Sequence, residues 1–178
     1  MDPIKMLAGM KPRVSRIVRR EDGSSIVELA VVFPILLLLF VGIAELGRLF
    51  YTYTTLAKAS KVGARYLSSS RNVVKGTVAQ KAAAREEARS LVVCGFLNCT
   101  DKPPIATGLT TAQVSICDNF SVPCNPAIPA GPIKYFKVEI TNYPYTPGVF
   151  NLGAMTGGGS SSIYFPLTPG TEMRYMPN

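Results

Sequence analysis

Between Ile26 and Ala44 the chain carries 19 residues, of which only Glu28 is charged. A helix of that length, rising about 1.5 Å per residue, spans about 28 Å, close to the roughly 30 Å of hydrocarbon in a bilayer. The stretch is therefore expected to be a membrane span, and because no other apolar run approaches 18 residues, a single pass is expected. Glu28 is the informative departure. A charge at the centre of a span costs roughly 2.5–3.5 kcal/mol, and less near an end, so such acids usually have a partner. Hydration of Glu28 at headgroup level is the plain alternative. Pro34, inside the run, removes a backbone hydrogen bond to the Ala30 carbonyl, which points to a feature of helix shape rather than of chemistry.

Of the formal charge of +8, residues 1–23 contribute +3 and the remainder +5, but the leader packs its six cations into a short stretch before the span. Residues 1–23 carry Lys5, Lys11, Arg13, Arg16, Arg19 and Arg20 against Asp2, Glu21 and Asp22. Positive charge flanking a span stays on the cytoplasmic side, so the N-terminus is expected inside and everything after Ala44 outside. The same residues lack apolar periodicity and contain Pro3, Gly9 and Pro12, which suits a leader at the membrane surface; a permanent cytoplasmic tail is the alternative.

Glu28 is the fifth residue after Gly23, so a cut after Gly23 would start the chain at Ser24 and place the acid at position five. With Pro34, the Leu36–Leu39 run, Ala44-Glu45-Leu46-Gly47-Arg48 and the segment Ala59–Arg65, this arrangement resembles the TadE-like pseudopilins of tight-adherence (Tad/Flp, type IVb) pilus systems. The C-terminal VEITNYPY and TEMRY segments are similar to that family as well, although the specific motifs lie in the first 65 residues. The resemblance implies a minor pilin or pseudopilin of the bacterial inner membrane, cut between Gly23 and Ser24 by a prepilin peptidase. Its implied partners are other Tad/Flp pilins and pseudopilins, the inner-membrane assembly platform and the membrane itself. Glu28 would pair with the new amine of a neighbouring subunit. Two other readings stay open. Gly42-Ile43-Ala44 also fits a secretory signal cut before Glu45, and an uncleaved, membrane-anchored scaffold would need no cut at all.

Beyond Ala44 helical spacing continues through Leu46, Leu49, Phe50, Tyr53, Ala57, Ala64 and Leu67, so the helix leaves the membrane without stopping. Tyr51 and Tyr53 fall at the depth of an aromatic belt, and Glu45 with Arg48 is spaced for an ion pair, within the chain or between subunits. Ala59 and Gly63 permit close helix approach, either to a neighbour or to this chain's own domain. Ser68–Asn72 should break the helix, and Gly76–Val93 reads as a second helix with Lys81, Arg85, Glu86 and Arg89 on its polar face. After Cys94 the periodicity shifts towards two. Strands are expected at Gln113–Cys117, Tyr135–Tyr143, Ile163–Leu167 and Thr171–Met176, with a flexible loop over Gly157–Ser162. The expected class is α+β, organised as leader (1–23), span (24–44), extracytoplasmic helical region (45–93) and a small disulfide-containing β-rich domain (94–178).

The chain has no His and no Trp. Without His it lacks the commonest general base and the commonest metal ligand, and no nucleophile elbow, phosphate loop or dinucleotide fingerprint appears, so no enzyme, cofactor or metal is expected. Cys94, Cys99, Cys117 and Cys124 allow three disulfide pairings, and outside the cell membrane bridges are favoured over zinc. Local pairing, Cys94 with Cys99 and Cys117 with Cys124, is preferred because the Pro-rich flanks can close loops. The Lys and Arg residues between Arg48 and Arg89 read as a solvated face; no aromatic platform interleaves with them, and no nucleic acid is expected.

Overall fold

The structure, a computed structural model, describes residues 22–124, 127–128, 131–148 and 165–176. The leader up to Glu21 and the Gly157–Ser162 loop lie outside the described residues. The chain divides into two compact units, Met1–Phe40 and Val41–Asn178. Helix α1 (Asp22–Ser69, 48 residues) contributes to both.

In the first unit the described part is helical throughout, Pro34 included, and every residue from Ser25 to Phe40 is exposed. A helix that is apolar all round and exposed all round is suited to a hydrocarbon solvent, not to water.

The second unit begins with the remaining turns of α1, whose inward stripe is Leu56, Ala59, Ser60, Gly63, Ala64 and Leu67. The helix ends at Ser69; Ser70 is extended, and the five-residue α2 (Arg71–Lys75) follows with Val73 buried. The sequence pattern does not reveal α2, because five residues are too few to show a helical period. Helix α3 (Val78–Cys94) starts at Thr77, whose side chain accepts from the Gln80 backbone while the Gln80 side chain accepts from the Thr77 N–H, a reciprocal capping box. It stops at Gly95, which adopts φ of 79°, a left-handed conformation that a Cβ would strain, and returns its N–H to Leu91.

After a single 3-10 turn (Thr111–Gln113), β1 (Val114–Asp118), β2 (Tyr135–Ile140) and β5 (Gly170–Arg174) form an antiparallel sheet with β2 in the middle. The register sets Ile116 opposite Val138 and Val138 opposite Thr171. Phe136, Val138 and Ile140 are fully buried while Lys137 and Glu139 between them are not, the period-two alternation of a sheet covered on one face.

Tyr135–Tyr143, expected as one strand, is instead two. The first sheet ends at Ile140, Asn142 takes φ of 53°, and β3 (Tyr143–Tyr145) pairs with β4 (Phe165–Leu167) in a separate two-stranded sheet. Asn tolerates that left-handed turn, and the alternation slips by one residue there, from Phe136, Val138 and Ile140 on the buried face to Tyr143 and Tyr145.

Helices and sheet share one core, in which Leu56, Ala64 and Leu67 of α1, Ala88 and Val92 of α3, and Phe136 and Val138 of β2 are buried together. This gives an α+β class with helices gathered against an antiparallel sheet. At Gly63 α1 lies directly against α3. A Cβ there would stand 2.5 Å from Val92 Cγ2 and 3.3 Å from the Ala88 carbonyl oxygen, so the Ala59–Gly63 pattern packs on this chain's own domain.

Candidate functional site

The residues singled out for processing and assembly lie along the start of α1. Gly23 and Ser24 are in its first turn, Glu28 follows five residues after Gly23, about 7.5 Å further along the axis, and Glu28 is exposed. By length and composition α1 can cross a membrane: its most apolar stretch has a mean hydropathy of 2.8 and none of it is buried.

Where the second unit begins, α1 carries a cluster that the sequence did not reveal. The Glu45 carboxylate accepts hydrogen bonds from Tyr145 Oη at 2.8 Å and from the Gly148 backbone N–H at 2.9 Å, joining positions 100 and 103 residues apart. Glu45 is thus committed to the segment around β3, 100 residues away, a partnership its spacing to Arg48 did not suggest. Arg48 lies against that segment too, its Nη1 2.0 Å from where a Gly148 Cβ would stand, so a side chain there would push the guanidinium aside. Burial together with the Glu45 carboxylate pushes the Tyr145 phenol up to about 12, with Arg48 pulling the other way. Tyr143 is also raised by burial and opposed by Arg48, and its hydroxyl donates to the Thr107 carbonyl at 2.9 Å. Sequence offered one signal for this latch: AELGR and NYPY are both segments by which the chain resembles the family. Nothing in their spacing says that they touch.

Cys94 is bridged to Cys99 and Cys117 to Cys124, closing one loop at the end of α3 and one after β1. The second loop is organised by Asp118, a fully buried acid. Burial would raise its pKa, but backbone N–H groups of Val122, Ser121 and Phe120 and the Ser121 hydroxyl outweigh that and hold it below the ordinary carboxylate value. Arg85 Nη2 reaches the other Asp118 oxygen at 2.6 Å. Arg85 is therefore a structural cation with a side chain 16% exposed, not part of a solvated face, and Arg89 beside it donates to the Val114 carbonyl and pairs with Glu86. Lys58, Lys61 and Arg65 of α1 are solvated as expected.

An apolar, exposed N-terminal helix that runs on into a small disulfide-bridged α+β domain is compatible with a membrane-anchored class of protein. Residues 23–65 match the family model described as TadE-like protein, over the stretch that carries Gly23, Glu28, Pro34, AELGR and Ala59–Arg65, so the recognition made from those residues stands. That family is a structural, pilus-associated one, not known for catalysis. No curated protein and no solved structure matches the chain.

Proposed function

We propose that this chain is a minor pilin or pseudopilin of a Tad/Flp pilus, made with a cytoplasmic leader, cut after Gly23 and drawn into assembly through its hydrophobic N-terminal helix. The observation that carries the reading is α1 itself, which unites the family match, Gly23 and Glu28 in its first turns, and an apolar surface exposed at every described position up to Phe40. A surface of that kind needs lipid before assembly and neighbouring helices after it. Span 24–44 would sit in the inner membrane, with 45–93 and 94–178 outside, where the two disulfides are chemically at home. Other pilins, the prepilin peptidase and the assembly platform are the partners of this reading.

Cleavage leaves the Ser24 amine, ordinarily with a pKa near 8, as a cation about one helical turn from Glu28. A carboxylate and an ammonium 4 Å apart at an effective dielectric of 20 attract by about 4 kcal/mol before desolvation is subtracted, which suffices to set the register between subunits. The continuity of α1 through Ala44 speaks against a cut before Glu45, which would divide a helix and expose Glu45 beside its own latch.

The N-terminal residue of the mature chain tests this reading. Purified from membranes, the protein should begin at Ser24, and Gly23→Leu, which puts a bulky side chain at the cut, should accumulate at full length. A mature chain starting at Glu45, or normal processing of Gly23→Leu, would sink the proposal.

A further inference from the structure

Beside the latch, within the second unit, lies an open groove of about 390 Å³ whose walls include Arg48, Tyr51, Thr52, Thr55, Thr107 and Tyr143. We infer that this groove holds the phosphate of a phospholipid headgroup, an inference that rests on the reading of α1 as a membrane anchor.

Depth, charge and geometry each support it. Arg48 is four residues past Ala44, about 6 Å along the helix from the end of the apolar run, and the headgroup region of a bilayer occupies about that thickness on each side. Tyr51, 74% exposed, stands at the same level, where aromatic side chains with a polar tip collect. Among the described lining residues Arg48 is the only cation and none is an acid. The nearest acid along the helix, Glu45, is held by Tyr145 and Gly148.

The other polar groups of the walls are mostly committed. Thr52 and Thr55 donate back to the carbonyls of Arg48 and Tyr51, and Tyr143 donates to Thr107. Among the described lining residues the Arg48 guanidinium, exposed and set against Gly148, is the charged donor. A planar fork of N–H groups matches two oxygens of a phosphodiester, and buried tyrosine walls give it a fixed frame.

The experiment uses the full chain in a neutral maltoside detergent, with lipid retention read by native mass spectrometry. Dioctanoyl-phosphatidylglycerol should be retained as one molecule per chain, and Arg48→Gln should weaken that retention about tenfold, the value of one charge-assisted hydrogen-bonded contact. Thr107→Glu, which leaves Arg48 on Gly148 but adds an acid to the opposite wall, should expel the lipid comparably, so the result does not depend on the folding of one variant. Dioctanoylglycerol, which lacks the phosphate, should not be retained, and inorganic phosphate in large excess should not compete. Equal retention by wild type and both variants, equal retention of dioctanoylglycerol, or full displacement by inorganic phosphate would each overturn the headgroup site. Carbonate-washed membranes separate this from the reading beneath it: a chain lost from the membrane pellet refutes the anchor, whereas a chain kept there with variant-independent lipid retention refutes the headgroup site alone.

Discussion

Tyr145 is 4% exposed and gives its hydroxyl to Glu45, so removing that oxygen withdraws one of two donors from a carboxylate held between a helix and a loop. Tyr145→Phe should cost about 2 kcal/mol in urea unfolding, because hydrogen bonds to charged groups are worth more than neutral ones. The same bond gives a pH signature. Tyr145 and Tyr66, whose hydroxyl donates to Glu87, are each raised from 10.0 to about 12, chiefly by burial and then by their carboxylate partners. A group whose pKa is higher folded than unfolded contributes stability that is complete below the unfolded value and lost as pH rises through the folded one. The stability from these two phenols should therefore hold up to about pH 10 and disappear towards 12. Titration of tyrosine absorbance should show late-titrating phenolates that include Tyr66 and Tyr145, and one fewer of them in Tyr145→Phe. At this scale the sequence was a partial guide. It flagged Glu45 and Arg48 by their spacing, but the loop that shares them comes from 100 residues away, and no local rule connects the two.

At the scale of elements, the α1–α3 contact decides whether the domain closes. Gly63→Val should destabilise the protein by about 3 kcal/mol, since overpacking a buried interface outweighs the roughly 1 kcal/mol that a helix gains on losing glycine. The clash is with Val92 Cγ2, so Val92→Ala should recover part of the loss caused by Gly63→Ala. A double-mutant cycle in which the two changes add without coupling would show that the helices do not meet there. Helices were the most legible elements. The Ser68–Asn72 break and a second helix over Gly76–Val93 correspond to the end of α1 at Ser69 and to α3 over Val78–Cys94, because long amphipathic segments with caps write their period into the chain. Strands were less so. Val138 and its neighbours gave away β2, but the turn at Asn142 that hands Tyr143 to another sheet shows in the chain only as a one-residue slip of the alternation, which does not say which strand Tyr143 then pairs with.

For the whole molecule, Glu28 separates assembly from anchoring. The acid sits exposed near the start of α1, with an apolar surface before and after it, so a change that keeps its shape leaves the packing of the chain unaltered. If Glu28 recognises the amine of a neighbouring subunit, Glu28→Gln should be synthesised, inserted and cut after Gly23, yet fail to crosslink to pilin-like partners in membranes and fail to support filaments. Crosslinking and filament counts equal to wild type would reduce Glu28 to a boundary residue. What the sequence determined by itself was everything written in consecutive residues: the apolar helix of 19 residues, the Gly23–Glu28 spacing, the family motif over 23–65 and the α+β succession of elements. These are local because helix formation and partition into lipid depend on runs of neighbouring side chains. What only the tertiary structure decided were the relations between distant residues: Glu45 with Tyr145, Arg48 with Gly148, Arg85 with Asp118, and Gly63 beneath Val92. Those depend on which surfaces meet when the core closes, and a single chain records that only in its packed form.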